Sequence, residues 1–572
     1  MSYSDEYKRW LDSDYVDSET KAELLKIEND ETEKEFRFYS PLAFGTAGLR
    51  GKMCAGINAI NTYTVKQATQ GIATLINTVQ DGGMRGVAIA YDCRHNSRLF
   101  AECAASVLAA NDIEVFLFDD MRPTPLLSFA IRYLGCIAGI NITASHNTKE
   151  YNGFKAYWDD GAQIPPEHAK TVAEYIKNTD IFTGVKQMSY EDAKKSGFVH
   201  MIAPEVDRAY LNAVLSGQVN PGIVRDMGKD FKIVYSPMHG VGYKLVPEAL
   251  DMMGIKNVFV VPEQGAPNGD FPSVKSPNPE YPEAHALGVK LAHEVGADVF
   301  IATDPDSDRL GVSARSKNGF SMLSGNQIGA LLLEYIIQSL KEKSALPCDA
   351  YAVKTIVSSE LVTEICRANN IKLYNVFTGF KFIGEKIKEC ENAKNGTFIF
   401  GYEESIGYMR GAYVRDKDGV CAAVMVAEMA AYYASKGKTL HDALDDLYEK
   451  YGVYFEKTDN IYMEGLDGIE KMKALMEKLR KTPPKTIGNF KVAFFRDYEA
   501  QTITDMATGK VLPTGMQKSN VLYFEMENGD RVIIRPSGTE PKIKIYCLQS
   551  AATTAEAETN FEAYQKTTSS WR

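Results

Sequence analysis

The chain has 572 residues, 45% hydrophobic and 24% charged, and a formal net charge of −11. At roughly 150 residues per domain this is about four domains with several packed cores, and the acidic balance argues against nucleic acid or an anionic membrane as a partner. No stretch approaches the ~18 consecutive apolar residues of a membrane helix, and MSYSDEYKRWLDSDY has no basic segment leading into an apolar one, so the expected setting is the cytoplasm.

Residues 1 to 40 hold twelve acidic and six basic side chains and read as a helical lead-in. A strand–helix grammar then recurs three times. GVAIAYD, SRLFAECAASVLAAN, EVFLFDD, TPLLSFAIRYLG and CIAGINITA alternate strand and helix and run into Ser145. FKIVYSPMHG, YKLVPEALDMMG, NVFVV, PEAHALGVKLAHEVG and ADVFIA lead into TDPDSDR, and AYAVKTIV, SSELVTEICRANN, IKLYNVF and GTFIF lead into GYEESIGY. Strands apolar along most of their length predict parallel sheets covered on both faces, with ligands gathering beyond the strands' carboxyl ends. After YEKYGVYFEKTDN the pattern changes to a helix, LDGIEKMKALMEKLRK, and strands joined by the hairpin signal ENGD. The expected class is α/β: three related mixed α/β domains (1–205, 206–320, 321–455) plus a smaller C-terminal α+β domain (456–572) around a central cleft. The nine cysteines are an odd number, scattered and without a CxxC pair, so neither a disulfide framework nor a zinc site is expected.

Four polar loops carry the candidate chemistry. In TDPDSDR, Asp304, Asp306 and Asp308 alternate, a spacing that folds three hard oxygen donors around one Mg²⁺. A calcium loop counted from Asp304 requires glycine at its sixth position and glutamate at its twelfth, where Arg309 and Arg315 stand. A phosphatase with an aspartate nucleophile is the stronger rival. In NITASHNTKEYNGFKAYW, Ser145 follows a strand and precedes what reads as a helical segment, where serine ordinarily caps a helix. It gains meaning from His146, Lys155 and Arg50 (in FGTAGLRG), because phosphoryl transfer needs a nucleophile, cationic company and a metal together. Glu403 and Ser405 in GYEESIGY suit neighbouring sugar hydroxyls. In RPSGTEPKIKIY, Arg535 can grip a phosphate bidentately while Ser537, Gly538 and Thr539 offer hydroxyls and amides.

In this order, from FGTAGLRG through RPSGTEPKIKIY, the four loops resemble the α-D-phosphohexomutase superfamily. The resemblance implies a phosphorylated Ser145, Mg²⁺ held by Asp304, Asp306, Asp308 and a phosphoserine oxygen, and Arg50, Arg309 and His146 beside the transferring group. It makes Lys155 an acid/base, gives Glu403 and Ser405 the sugar hydroxyls, and gives Arg535, Ser537, Gly538 and Thr539 the unreactive phosphate. Thr378, Gly379 and Lys381 in TGFK, and Lys417 in VRDKDG, resemble further substrate-contacting segments. The implied reaction interconverts α-D-glucose 1-phosphate and glucose 6-phosphate, with glucose 1,6-bisphosphate as primer.

Two departures bear on substrate choice. Thr148 stands where the family often has proline, and EESIG replaces the GEMSGH of members that also accept mannose, placing Gly407 at the histidine. The glucose-type loop resembles the branch that also holds phosphopentomutase and glucose-1,6-bisphosphate synthase enzymes. A phosphomannomutase is disfavoured, and the alternatives from other classes are the Asp304 phosphatase and a noncatalytic phosphosugar-binding module.

Overall fold

A computed structural model describes residues 2–46, 48–202, 204–463, 468–536 and 542–571. The lead-in forms helices Tyr3–Asp12, Ser18–Leu25 and Glu31–Phe38, each started by a side-chain cap from Ser2, Asp17 or Asp30. They dock on the body through Trp10, which is fully buried edge-on against Phe38, Tyr63 and Phe182.

The first sheet has six strands in the order Leu49–Lys52, Tyr151–Trp158, Ala138–Ile142, Val87–Tyr91, Val115–Phe118, Val199–Ile202. The second orders Gly319–Leu323, Leu310–Ser316, Val299–Thr303, Lys232–Ser236, Asn257–Val260, and the third Lys372–Val376, Ala350–Thr355, Thr397–Glu403, Gly407–Met409. In each sheet parallel pairing runs from the centre to one edge, ending at Val199–Ile202, Asn257–Val260 or Lys372–Val376, and the other edge is antiparallel. Tyr151–Trp158, Leu310–Ser316 and Gly407–Met409 run antiparallel to the strand before them. The expected parallel sheets are thus mixed, each with an antiparallel edge. The physical reason is chain length: a parallel return needs a crossover of about a dozen residues, and these three connections are too short to do anything but turn back.

Ser145 is affected in the same way. No helix follows it; the chain turns and enters Tyr151–Trp158, so Ser145 sits in a hairpin turn and caps nothing. Each of the three candidate loops is such a turn, at the carboxyl end of a parallel strand. Each also bends through one non-glycine residue in the left-handed region, Ser145, Ser307 or Ile406, all at φ 52°. That conformation is sterically costly and is held in place only by surrounding contacts.

One core runs continuously beneath the three sheets. At its centre lies helix Gly419–Ser435, apolar all round and buried along nearly its full length, as an internal helix must be. Its N-cap Asp418 accepts from the Cys421 N–H and from the hydroxyls of Tyr210 and Tyr413. The helix start touches the TDPDSDR loop: the Gly419 N–H donates to the Ser307 carbonyl at 3.1 Å, and a Cβ on Gly419 would stand 2.5 Å from that oxygen. Glycine is what permits this approach, and it places Lys417, two residues earlier, over the aspartates.

The C-terminal part has its own core and an eight-stranded sheet, with Val453–Tyr462 paired antiparallel to Lys542–Ala551 over ten positions. A separate apolar cluster, including Ile356, Val357 and Phe377 against Tyr498, Tyr523 and Ile533, joins this sheet to the third. All nine cysteines are free thiols. Among the described residues no helix is long and apolar enough to cross a membrane.

Candidate active site

Ser145 projects from its turn toward the second sheet. Its N–H donates to Thr143 Oγ1 at 2.9 Å, its Oγ donates to Asp304 Oδ2 at 2.9 Å, and His146 Nδ1 lies 3.3 Å from the same Oγ. Burial, reinforced by Arg309 and Arg50, drives the His146 pKa well below its usual value, which favours the neutral ring. Arg50 donates to Asn147 Oδ1 at 3.1 Å. Beneath the turn lies Arg94, which the sequence did not single out. Its guanidinium donates to the carbonyls of Ser145 (2.6 Å), Asn147 (2.5 Å), Thr148 (2.8 Å) and Tyr151 (3.0 Å) and lies 3.2 Å from Asp92 Oδ2. Four carbonyls on one cation fix the loop's shape, and Thr148, the family departure, meets Arg94 through its backbone oxygen.

Asp304, Asp306 and Asp308 are buried, and one carboxylate oxygen from each lies within 4.8 Å of the others. Asp304 Oδ1 accepts the N–H groups of Asp308 and Arg309, each at 3.1 Å. Asp306 Oδ2 accepts from Lys155 Nζ at 2.6 Å, and Asp308 Oδ2 faces Lys417 Nζ at 2.9 Å. Asp306 Oδ1 and Asp308 Oδ1 are buried without a hydrogen-bond partner. Buried oxygens with no donor, on two of three clustered carboxylates, fit a hard divalent cation. Electrostatics separate the group: burial beside Asp308 and Asp306 pushes Asp304 well above the usual carboxylate range, whereas Lys155 outweighs burial and holds Asp306 far below it.

Arg309 bridges outward from this loop. Its Nη1 donates to the Ser405 carbonyl at 3.2 Å and lies 3.5 Å from Glu280 Oε2. Glu403 ends its strand almost fully buried; burial raises its carboxyl to about 7 against the pull of Lys417 and Arg309. Ser405 is half-buried in the turn. A Cβ at Gly407 would come within 2.7 Å of Lys417 Cδ and 3.0 Å of Glu403 Cγ, so the side chains of Lys417 and Glu403 already fill the space that a histidine there would need.

Thr378 and Gly379 precede helix Phe380–Ala393, with Gly379 at φ 121°. Lys381 reaches across to the first sheet's GTAG segment, donating to Thr46 Oγ1 at 2.7 Å. Arg535 lies on strand Arg531–Pro536 directly opposite Lys544, a second cation that the alternation in KIKIY foreshadows. Ser537, Gly538 and Thr539 lie outside the described residues. A cavity of about 660 Å³ opens between the GYEESIGY turn and the C-terminal sheet, lined by Glu280, Glu404, Ser405, Glu456, Lys542 and Lys544.

The structure thus brings Ser145, His146, Lys155 and Arg50 of the first unit, the three aspartates and Arg309 of the second, and Glu403, Ser405 and Lys417 of the third to one cleft. Family models for phosphoglucomutase/phosphomannomutase α/β/α domains I, II and III match residues 41–181, 208–317 and 324–451. The chain is 36% identical over 518 residues to a phosphoglucomutase of Staphylococcus haemolyticus, covering 90% of this chain and 91% of that one. A Staphylococcus saprophyticus phosphoglucomutase is 34% identical, covering 93% and 95%. Among solved structures, the open form of parafusin, a phosphoglucomutase from Paramecium, superposes with a TM-score of 0.69 at 19% identity, covering 93% and 95%. A phosphoglucomutase/phosphomannomutase family protein from Burkholderia thailandensis gives 0.64 at 18%, covering 92% and 96%. The chain belongs to the phosphoglucomutase/phosphomannomutase family of the α-D-phosphohexomutase superfamily. It is an enzyme of the isomerase class that this family defines.

Proposed function

We propose that the chain is a cytoplasmic phosphoglucomutase that interconverts α-D-glucose 1-phosphate and glucose 6-phosphate through a phosphorylated Ser145, and that its four domains divide near residues 205, 320 and 455. The observation that carries the reading is the hydrogen bond from Ser145 Oγ to Asp304 Oδ2, which sets a nucleophilic hydroxyl against a buried triad of carboxylates. The curated relatives, which are phosphoglucomutases over nine-tenths of this chain, support the glucose assignment.

Asp304, Asp306 and Asp308 would hold Mg²⁺, which when bound offsets charge on the transferring phosphoryl group. The remaining roles fall to side chains. The Ser145 Oγ proton is directed at Asp304 Oδ2 with a neutral His146 beside the same oxygen, and Arg50 and Arg309 flank the oxygens of the group in transit. Lys155, with its ammonium on the Asp306 carboxylate, exchanges a proton with the sugar hydroxyl. Glu403 and Ser405 hold sugar hydroxyls in either orientation, with Thr378, Gly379, Lys381 and Lys417 along the same wall. Arg535 and Lys544, with Ser537, Gly538 and Thr539, bind whichever phosphate is not reacting. The bisphosphate formed after the first transfer turns over and returns its other phosphate to Ser145. Glucose 1,6-bisphosphate accordingly primes a dephosphorylated enzyme.

Intact-mass analysis after incubation with glucose 1,6-bisphosphate should show one added phosphoryl group, localised to Ser145, and Ser145→Ala should lose both the label and turnover. Release of inorganic phosphate by an active Ser145→Ala variant would instead favour an Asp304 phosphatase. Faster turnover of ribose 1-phosphate or mannose 1-phosphate than of glucose 1-phosphate would move the assignment to another branch of the superfamily.

A further inference from the structure

We propose that Thr124 and Asn141 are positioning residues for the metal-loop carboxylate Asp306, forming a relay that decides which of its oxygens faces the cation. The inference rests on the reading of Asp306 as a metal ligand.

Three contacts compose the relay. Thr124 opens helix Thr124–Leu134, where the first N–H groups lack partners within the helix, and its N–H donates to the Asp306 carbonyl at 2.9 Å. Thr124 Oγ1 donates to Asp306 Oδ2 at 2.8 Å, and Asn141 Nδ2 donates to Thr124 Oγ1 at 2.7 Å. Thr124, Asn141 and Asp306 are all essentially inaccessible to solvent, so no water competes for these bonds.

Proton counting fixes the direction of the chain. A carboxylate only accepts, so the single Thr124 hydroxyl proton goes to Asp306. The hydroxyl oxygen is then only an acceptor toward Asn141, which must present its NH₂ and not its carbonyl. The consequence for Asp306 follows from its other bonds. Oδ2 already receives Lys155 Nζ at 2.6 Å, and with Thr124 it carries two strong donors, whereas Oδ1 has none. The relay therefore turns Oδ1 toward the aspartate cluster. Without the Thr124 hydroxyl, Lys155 alone would restrain the carboxylate, and rotation about its terminal torsion would no longer distinguish the two oxygens.

Position in the chain gives the relay its purpose. Asn141 lies on strand Ala138–Ile142, four residues before Ser145, so the strand that delivers the nucleophile also braces the metal loop. Ser145 meets Asp304 while Asn141, through Thr124, meets Asp306. Two aspartates are thereby tied to one strand at two points, which fixes the cation site relative to the serine.

Mn²⁺ binding to the purified full-length protein, measured calorimetrically without sugar, tests this directly. Thr124→Val removes the hydroxyl but keeps the shape and the N–H; it should weaken Mn²⁺ binding roughly 10- to 100-fold, the usual effect of losing a partner of a metal ligand, while Thr124→Ser restores it. Asn141→Ala should weaken binding in the same direction, and the Thr124→Val/Asn141→Ala double variant should bind no worse than Thr124→Val, because Asn141 acts only through the hydroxyl. The KM for glucose 1-phosphate at saturating Mg²⁺ should stay unchanged in Thr124→Val. Wild-type Mn²⁺ affinity in Thr124→Val, or in Asn141→Ala if Thr124→Val does not fold, overturns the relay. Asp306→Asn separates the two levels: if it too keeps wild-type affinity, the reading of the metal site falls, whereas lost affinity there beside unchanged Thr124→Val condemns the relay alone.

Discussion

Lys417 Nζ stands 2.9 Å from Asp308 Oδ2 and 3.5 Å from Asp416 Oδ1, so the third sheet's unit sets a buried cation directly on the aspartate loop of the second. Lys155 does the same from the first, onto Asp306. Two lysines from two different units thus neutralise part of a triad that would otherwise repel itself.

Removing one of them should be costly in a way that a metal relieves. Lys417→Met keeps most of the volume but removes the nearest cation of buried Asp308, leaving Lys155 at 3.7 Å and Arg309 at 3.9 Å, so the loss should stay below the about 3–5 kcal/mol of a buried charge left wholly unpaired. Mg²⁺ neutralises the same carboxylate, so thermal unfolding should show a large destabilisation in EDTA and a smaller one with Mg²⁺. Equal destabilisation in both conditions would mean that Lys417 matters for packing and not for charge.

Glu403 gives a pH dependence of definite sign. Its carboxyl is raised from 4.5 to about 7 in the folded protein, so between those values the folded state keeps a proton that the unfolded chain has released. Stability from this group is present below the unfolded value and is lost as pH rises through 7, by up to about 3 kcal/mol at ~1.4 kcal/mol per unit. Glu456, also raised by burial to about 7, adds a loss of the same sign. Urea unfolding at pH 5 and pH 8 should therefore show a smaller drop for Glu403→Gln than for the wild type. An unchanged drop would place the titration elsewhere.

Gly407 tests the substrate-loop departure. Gly407→Ala puts a methyl against Lys417 Cδ and Glu403, and overpacking of this size costs about 1–3 kcal/mol. Because one displaced side chain, Lys417, pairs with Asp308 and the other is Glu403, turnover should fall more than glucose 1-phosphate affinity does. A variant with wild-type kcat and KM would show that the loop yields without moving Lys417.

How far the sequence revealed this site depended on the kind of contact. Asp304, Asp306 and Asp308 were legible because alternate carboxylates within five residues announce their own chemistry. Ser145 was legible only in company, and its local structure was misjudged: an apolar strand followed by polar residues reads the same whether a helix or a hairpin comes next. Arg94, Thr124 and Asn141 were invisible for a different reason. Each acts on a residue distant in the chain or through backbone carbonyls, as Thr124 does on Asp306 across 182 positions, and no local spacing records such a bond. The convergence of Lys155 and Lys417 on the aspartate loop belongs to the same class, since it follows from where Tyr151–Trp158 and the start of Gly419–Ser435 end up in space.

The left-handed backbone at Ser145 offers a test that separates strain from chemistry. At φ 52° an L-residue carries a penalty of about 1–2 kcal/mol that glycine escapes, while glycine loses about 0.5–1 kcal/mol more conformational entropy on folding. The first term is the larger, so Ser145→Gly should be more stable than Ser145→Ala by about 0.5–1 kcal/mol in urea unfolding. Both variants lack the hydroxyl and should be equally unable to carry a phosphoryl group, so the comparison reads the backbone alone. If Ser145→Gly proved the less stable, the turn would not be strained. The hold of Arg94 on its four carbonyls would then account for the loop's conformation without opposing any intrinsic preference of the chain.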